Sequence, residues 1–279
     1  MIRPLGQGDT PDALALLRPR PIHNVFLEYV VRSGALGSLP GFTGYFAGKT
    51  LEGIVLVAPG GGVAVSSSGV EPPRALGEAI ARQPIPARHI VGPEEFTVPF
   101  FHGYAPSGAS PIWERREPVY VVTAETLCSD GSVPLVPAEK DDLEPLVRNS
   151  AEQYREDLHD DRFASDPEGF RERHRRDVGQ RRWWILRENG DVVFQVHVGP
   201  ENDRVVQIGG VFTVPERRNS GVATAGVASI ARELLTHRPA VSLFCDEANG
   251  AARRVYERVG FEARFHYRSW LLETGGSPG

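Results

Sequence analysis

Cysteine is nearly absent from these 279 residues. Cys128 and Cys245 lie far apart in unlike segments, which excludes a disulfide framework and any Cys-x-x-Cys metal or redox motif. A reducing compartment is expected. Lysine is equally scarce: Lys49 and Lys140 stand beside 29 arginines, and 31 basic against 36 acidic residues leave a net charge of −5. That balance argues against a dedicated nucleic-acid binder. Long apolar runs are missing too. The longest, from Gly53 to Val65, is broken by Pro59 and three glycines, and Met1-Ile2-Arg3-Pro4 is not followed by an apolar h-region. The expectation is a cytoplasmic protein with neither signal peptide nor membrane span. His-Glu-x-x-His does not occur, and Gly-x-Ser-x-Gly is matched only in the Gly- and Pro-rich tail Gly275–Gly279 rather than at a strand-to-helix turn, so serine hydrolase and zinc protease chemistry have no support, and no metal site is expected.

What is present is an ordinary globular composition, 41% hydrophobic and 24% charged, at a length that suits about two domains. From Gly41 onward the first half reads as a hairpin of Phe42–Ala47 and Leu51–Val57, a strand at Gly62–Ser66 and a helix over Pro72–Gln83. A strand at Arg88–Val91, a helix over Glu94–Tyr104 interrupted by Pro99, and a strand at Pro118–Thr123 follow. Residues 124–132 lose the periodicity and gain turn formers, so the domain boundary is expected there, between domains at 1–124 and 133–274.

The second half opens with a short strand, Val133–Val136, then a helix over Glu139–Asp157 and another begun by Asp166-Pro167. A hairpin of Trp183–Arg187 and Asp191–Val198 turns at Asn189-Gly190, a pair suited to positive φ angles. Then come a strand at Val205–Val214, a helix over Ser220–Thr236, a strand at Ala240–Cys245, a helix over Asn249–Val259 and a strand at Ala263–Leu272. From Trp183 on, the second half repeats the order β-β-β-α-β-α-β read from Gly41 in the first, the pattern an ancient duplication leaves. Arginines at 171, 173, 175, 176, 181 and 182 are interleaved with Glu172 and Asp177, which reads as a solvated helix face before it reads as an RNA contact.

The stretch Val211 to Ala223 passes from a strand through a tight loop into a helix. Small residues at Gly221 and Ala223 let backbone N–H groups approach a ligand, and the helix start aims unpaired donors at an anion. Arg217 or Arg218 can add charge. Its ending differs from a Walker A loop and from Gly-x-Gly-x-x-Gly. The run Arg218-Asn219-Ser220-Gly221-Val222-Ala223 resembles the Arg/Gln-x-x-Gly-x-Gly/Ala signature of the GNAT superfamily of acyl-CoA-dependent N-acyltransferases. Asn249, Tyr256 and Val259-Gly260-Phe261 resemble that family's second block. The resemblance covers about Val133 to Leu272, and the first half is similar in layout to the degenerate GNAT-like domain that precedes the catalytic one in two-domain members.

The resemblance implies an α/β protein of tandem GNAT-like domains, each a mixed, mostly antiparallel sheet flanked by helices. It implies acetyl-CoA as co-substrate and acetyl transfer to a primary amine. By carry-over, the loop Arg218, Asn219, Ser220, Gly221, Val222 and Ala223 holds the pyrophosphate. Val211, Phe212 and Thr213 offer backbone to the pantetheine, with Val211 N–H as oxyanion donor; Asn249 bonds the pantetheine arm and Tyr256 protonates the thiolate. The first-half counterpart, Ser66 to Pro73, has no arginine, a repelling Glu71 and two prolines, so it is expected to bind no acyl-CoA. The general base stays open among Glu152, His197, Asp246, Glu247 and a water chain, because Phe244 and Gln207 stand where relatives carry carboxylates. A non-catalytic acyl-CoA-binding regulator or scaffold is the alternative reading, and the acceptor and oligomeric state are not legible.

Overall fold

Alternation of apolar side chains builds the first sheet. In a computed structural model of the chain, which describes residues 1–39, 41–129, 131–158 and 162–273, β1 (Ile2–Pro4), β2 (Phe42–Ala47), β3 (Thr50–Val57) and β4 (Gly62–Ser67) pair antiparallel in that order. β4 then pairs parallel with β5 (His89–Pro93). Helices α1 (Thr10–Leu17) and α2 (Val25–Arg32) cover one face through Leu17, Leu27 and Val31, while α3 (Glu71–Ile80) and α4 (Glu94–Tyr104) cover the other through Leu76, Ile80 and Phe100. Pro99 lies inside α4 without interrupting it, a correction to the sequence reading. The two helices touch backbone to backbone: a Cβ on Gly77 would stand 2.2 Å from the Phe100 carbonyl oxygen, and one on Gly103 would stand 2.1 Å from that of Arg74.

The chain leaves this unit within β6 (Pro111–Thr123) and returns to it within β12 (Glu262–Leu272). The first compact unit is Met1–Val119 together with the stretch from Phe265 onward, and the second is Tyr120–Arg264. The connector at 124–132 therefore lies inside the second unit, and residues from Phe265 on group with the first. The reason is pairing: Tyr267 to Leu271 run antiparallel to β5, with Trp270 and Leu272 in its core. Asp130 of the connector and residue 274 lie outside the described residues.

The second unit repeats the layout. β7 is confined to Val136–Pro137, shorter than expected and preceded by a Val133 amide that donates to the Ser229 hydroxyl. It pairs antiparallel with β8 (Trp183–Glu188), β8 with β9 (Asp191–Glu201) and β9 with β10 (Val205–Thr213), while β10 runs parallel to β11 (Ala240–Phe244) and the end of β6 follows. The β8–β9 turn has φ of 53° at Asn189 and 91° at Gly190, as its sequence requires. Helices α5 (Leu143–Leu158), α6 (Arg162–Ser165) and α7 (Pro167–Gly179) come before the hairpin, and α8 (Val222–Leu235) and α9 (Gly250–Val259) after it. Leu146 and Val178 pack with Trp183 and Ile185 on one face; Val227, Ile230, Tyr256 and Val259 pack with Phe194, Val196 and Leu243 on the other. Each unit is thus a mostly antiparallel α/β sandwich with one parallel strand pair.

Candidate active site

β10 and β11 begin as neighbours and part company. Their parallel pairing covers Val205–Gln207 against Ala240–Ser242 and stops there, although β10 runs on to Thr213. From Ile208 the β11-facing edge of β10 has no strand partner among the described residues, and its backbone polar groups are left for something else. At the last paired position, Gln207 Nε2 and Ser242 Oγ are buried and without a hydrogen-bond partner among the described residues.

A bulge deforms β10 where the parting begins. Gly209 faces His197 and Phe212 faces Gln195, so β10 fits one extra residue into the interval. Gly210 supplies the positive φ of 57°, and a Cβ there would press on Trp183 at 2.8 Å. The Val211 carbonyl accepts from Gln153 Nε2 of α5 at 3.2 Å, and Phe212 is buried in the sheet.

Beyond Thr213 the chain makes a single 3₁₀ turn at Pro215–Arg217, and Asn219 and Gly221 follow with φ of 59° and 85°. Gly221 is the N-cap of α8 and offers no side-chain cap, so the first amides of the helix point outward unsatisfied. A Cβ on Gly221 would meet nothing within 4 Å. The helix start therefore opens onto free space with donors and a positive dipole end, the arrangement that receives a phosphate.

The arginines of the loop do not aim there. Arg218 folds over the Phe212 ring, donates from Nε to the Thr213 carbonyl at 3.1 Å and pairs with Glu156 at 2.9 Å. Arg217 pairs with Glu188 at 2.8 Å. Backbone amides, rather than guanidinium charge, are what this loop holds ready, and the two carboxylates were not legible as its partners because both are distant in sequence.

Asn249 and Tyr256 sit two turns apart on α9. Asn249 Oδ1 accepts from the Ala252 amide at 3.0 Å and caps the helix, leaving Nδ2 for another partner. Tyr256 is buried among rings, 5.9 Å from Tyr120 and 6.1 Å from Phe261 between centroids. Burial pushes its phenol far above the usual range, so the group keeps its proton. Tyr120, which sequence reasoning passed over, donates to Glu257 at 2.9 Å and accepts from Arg253 Nε at 3.2 Å.

The candidates for a base scatter. Asp246 is occupied in its own turn, accepting from the Ala248 amide at 2.9 Å, and Glu247 is exposed. Glu152 lies half-buried on α5, whereas His197 lies on β9 opposite the bulge. The arginines of α7 meet carboxylates: Arg171 with Glu144, Arg173 with Asp166 at 3.4 Å, Arg175 with Glu172 and Arg176 with Asp177.

Residues 146–261 match the model of the acetyltransferase (GNAT) family. The second unit is a GNAT-family domain. Several solved structures are similar to this chain over nearly its whole length. An acetyltransferase of the GNAT family from Colwellia psychrerythraea superposes with a TM-score of 0.60 at 10% identity, covering 98% of this chain and 100% of its own. A Drosophila protein reaches 0.69 at 13%, covering 97% and 98%. A tandem GNAT protein from the clavulanic acid biosynthesis pathway reaches 0.59 at 15%, covering 100% and 99%. At these identities the likeness is one of fold. No curated protein matches the sequence significantly.

The first unit has the same GNAT layout with a different cleft. β4 and β5 pair only through Gly62–His89 and Val63–Ile90 before they too diverge. Here α3 starts with Glu71, Pro72 and Pro73, two of whose first-turn positions carry no N–H. A pocket of about 530 Å³ beside it is lined by Val70, Pro93, Glu94, Glu95, Val98, Pro99, Phe265 and His266. That lining is mostly apolar and sets two carboxylates, which repel a pyrophosphate, against the single imidazole of His266.

Proposed function

We propose that the second GNAT unit transfers an acetyl group from acetyl-CoA to a primary amine. The parting of β10 from β11 beside the open, uncapped start of α8 carries this reading. The amides of the Arg218–Ala223 loop would hold the pyrophosphate, with Asn219, Ser220 and Val222 contributing backbone and Gly221 contributing space. Val211, Phe212 and Thr213 would pair their freed edge with the amide-bearing pantetheine, and Asn249 would donate from Nδ2. The Val211 N–H serves as donor to the thioester oxygen as charge builds on it. Tyr256, which stays protonated, supplies the proton for the departing thiolate.

Calorimetric titration with acetyl-CoA, followed by thiol release over a panel of primary amines, tests the reading. Gly221→Asp is expected to weaken acetyl-CoA at least tenfold, about 1.4 kcal/mol, because it places a negative charge in the space before the helix start. Unchanged affinity in the folded variant would move the phosphate site elsewhere. Binding without thiol release from any amine would favour a non-catalytic acyl-CoA binder.

A further inference from the structure

The face of the second sheet that α5 and α7 cover carries polar side chains the proposed chemistry leaves idle. His197 projects from β9 toward α7, where its Nε2 stands 3.3 Å from Asp177 Oδ2. Its ring packs edge-on against Trp183 at 4.8 Å, and Trp183 stacks on His174 at 5.3 Å. His197 Nε2 is buried and meets Asp177 at ion-pair distance without an aligned hydrogen bond, while the side chain as a whole is 22% exposed, so the exposure lies away from Asp177.

Glycines surround the exposed side. Gly209 is the cross-strand partner of His197, and directly paired residues of antiparallel strands point to one face. Gly209 is exposed in mid-strand, and a Cβ there would meet nothing within 4 Å. Gly210 lies so close that a Cβ would stand 3.3 Å from His197 Cβ, and Gly199 leaves the Nδ1 side uncovered, its own added Cβ being 3.9 Å away. The imidazole therefore has no side chain over it from its cross-strand partner Gly209, which precedes Val211 by two residues on the strand whose far edge begins to part from β11.

We infer that His197 is the general base of the acetyl transfer, with Nδ1 as the proton acceptor and Asp177 as a positioning residue that keeps the other proton on Nε2. This rests on the acetyltransferase reading of the same site. The amine nitrogen forms a bond to the thioester carbon and the carbon–sulfur bond breaks. The nitrogen's proton passes to His197 Nδ1, the sulfur receives one from Tyr256, and solvent exchange returns His197 and Tyr256 to their starting states. The groups facing the imidazole suit the task. Burial raises the Asp177 carboxyl, but the contact with His197 and the neighbouring Arg176 and Arg182 guanidiniums outweigh it and keep the group ionised. His174 donates from Nδ1 to the Phe170 carbonyl at 2.9 Å, and burial lowers its pKa, so it adds no competing positive charge.

The test uses the intact chain, with acetyl-CoA hydrolysis read as thiol release and ethylamine and glycine methyl ester as amine probes. His197→Gln is expected to lower kcat at least tenfold, to leave the calorimetric affinity for acetyl-CoA unchanged, and to abolish the rise of rate with imidazole deprotonation. Asp177→Asn should lower kcat less and move the midpoint of that rise. ¹⁵N NMR of the histidines should show His197 as the Nε2–H tautomer in the wild type and a mixed tautomer in Asp177→Asn, a readout that needs neither turnover nor a folded His197 variant. Unchanged rate and pH profile in His197→Gln, or a wild-type His197 that is Nδ1–H, overturns the assignment. Failure of the wild type to bind acetyl-CoA overturns the acetyltransferase reading instead.

Discussion

Burial raises the Tyr256 phenol, so in the proposed reaction the residue starts protonated and its proton is drawn off as charge develops on the sulfur. Tyr256→Phe keeps the ring and the packing of α9 and removes only that proton. The expected outcome is a fall in kcat of about 10²-fold with acetyl-CoA affinity and melting temperature preserved, read by steady-state kinetics beside calorimetry. Normal kcat with chemistry rate-limiting would make Tyr256 a packing residue only. His174 acts on stability instead. Burial lowers its folded pKa below the unfolded value of about 6.5, so in the window just beneath 6.5 the unfolded chain binds a proton that the folded one refuses. Stability from this group is therefore present above that value and declines as pH falls through the window. Urea unfolding should show the wild type losing more stability than His174→Phe between pH 7 and pH 5, since the variant keeps a ring against Trp183 but nothing to protonate. Parallel losses would refute this.

Elements differ in how openly the sequence announces them. The Asn189-Gly190 hairpin, the Asp166-Pro167 helix start and the strand-loop-helix around Gly221 are each fixed by local chemistry, and each stands where reading along the chain puts it. The helices α1 and α2 went unread. α1 has only eight residues and ends against Arg18-Pro19-Arg20-Pro21, and α2 is rich in valine and aromatic residues that also suit a strand; both are stabilised by tertiary burial of Leu17, Leu27 and Val31 rather than by propensity. The loop's glycines and the α9 pair could be found in the sequence, but the bulge at Gly210 and the Asp177–His197 pair could not, because both depend on cross-strand register. The α3–α4 crossing shows the same dependence. Gly103→Ala would drive a methyl group into the Arg74 carbonyl, and its expected cost is about 1–3 kcal/mol by urea unfolding, with an exposed-helix alanine substitution as control. A neutral result would mean the helices separate freely.

At the scale of the molecule, two units share one plan and divide its chemistry. Both sheets part at their parallel pair, but only the second presents unoccupied amides at the following helix, whereas the first presents Glu71 and two prolines. Titration of the intact chain should therefore give one equivalent of acetyl-CoA, and a second equivalent of comparable affinity would place a donor set in the first unit that its helix start lacks. The route of the chain has its own effect. Because β5 is paired by Tyr267–Leu271, a ribosome that has synthesised residues 1–119 has not yet supplied everything the first unit contains. His89–Pro93 must wait as an unpaired edge, and the core must wait for Trp270 and Leu272, until the whole of Tyr120–Arg264 has been made. The unit begun first is completed last, and for the duration of translation it is the open edge of β5 that a chaperone or a neighbouring nascent chain would meet.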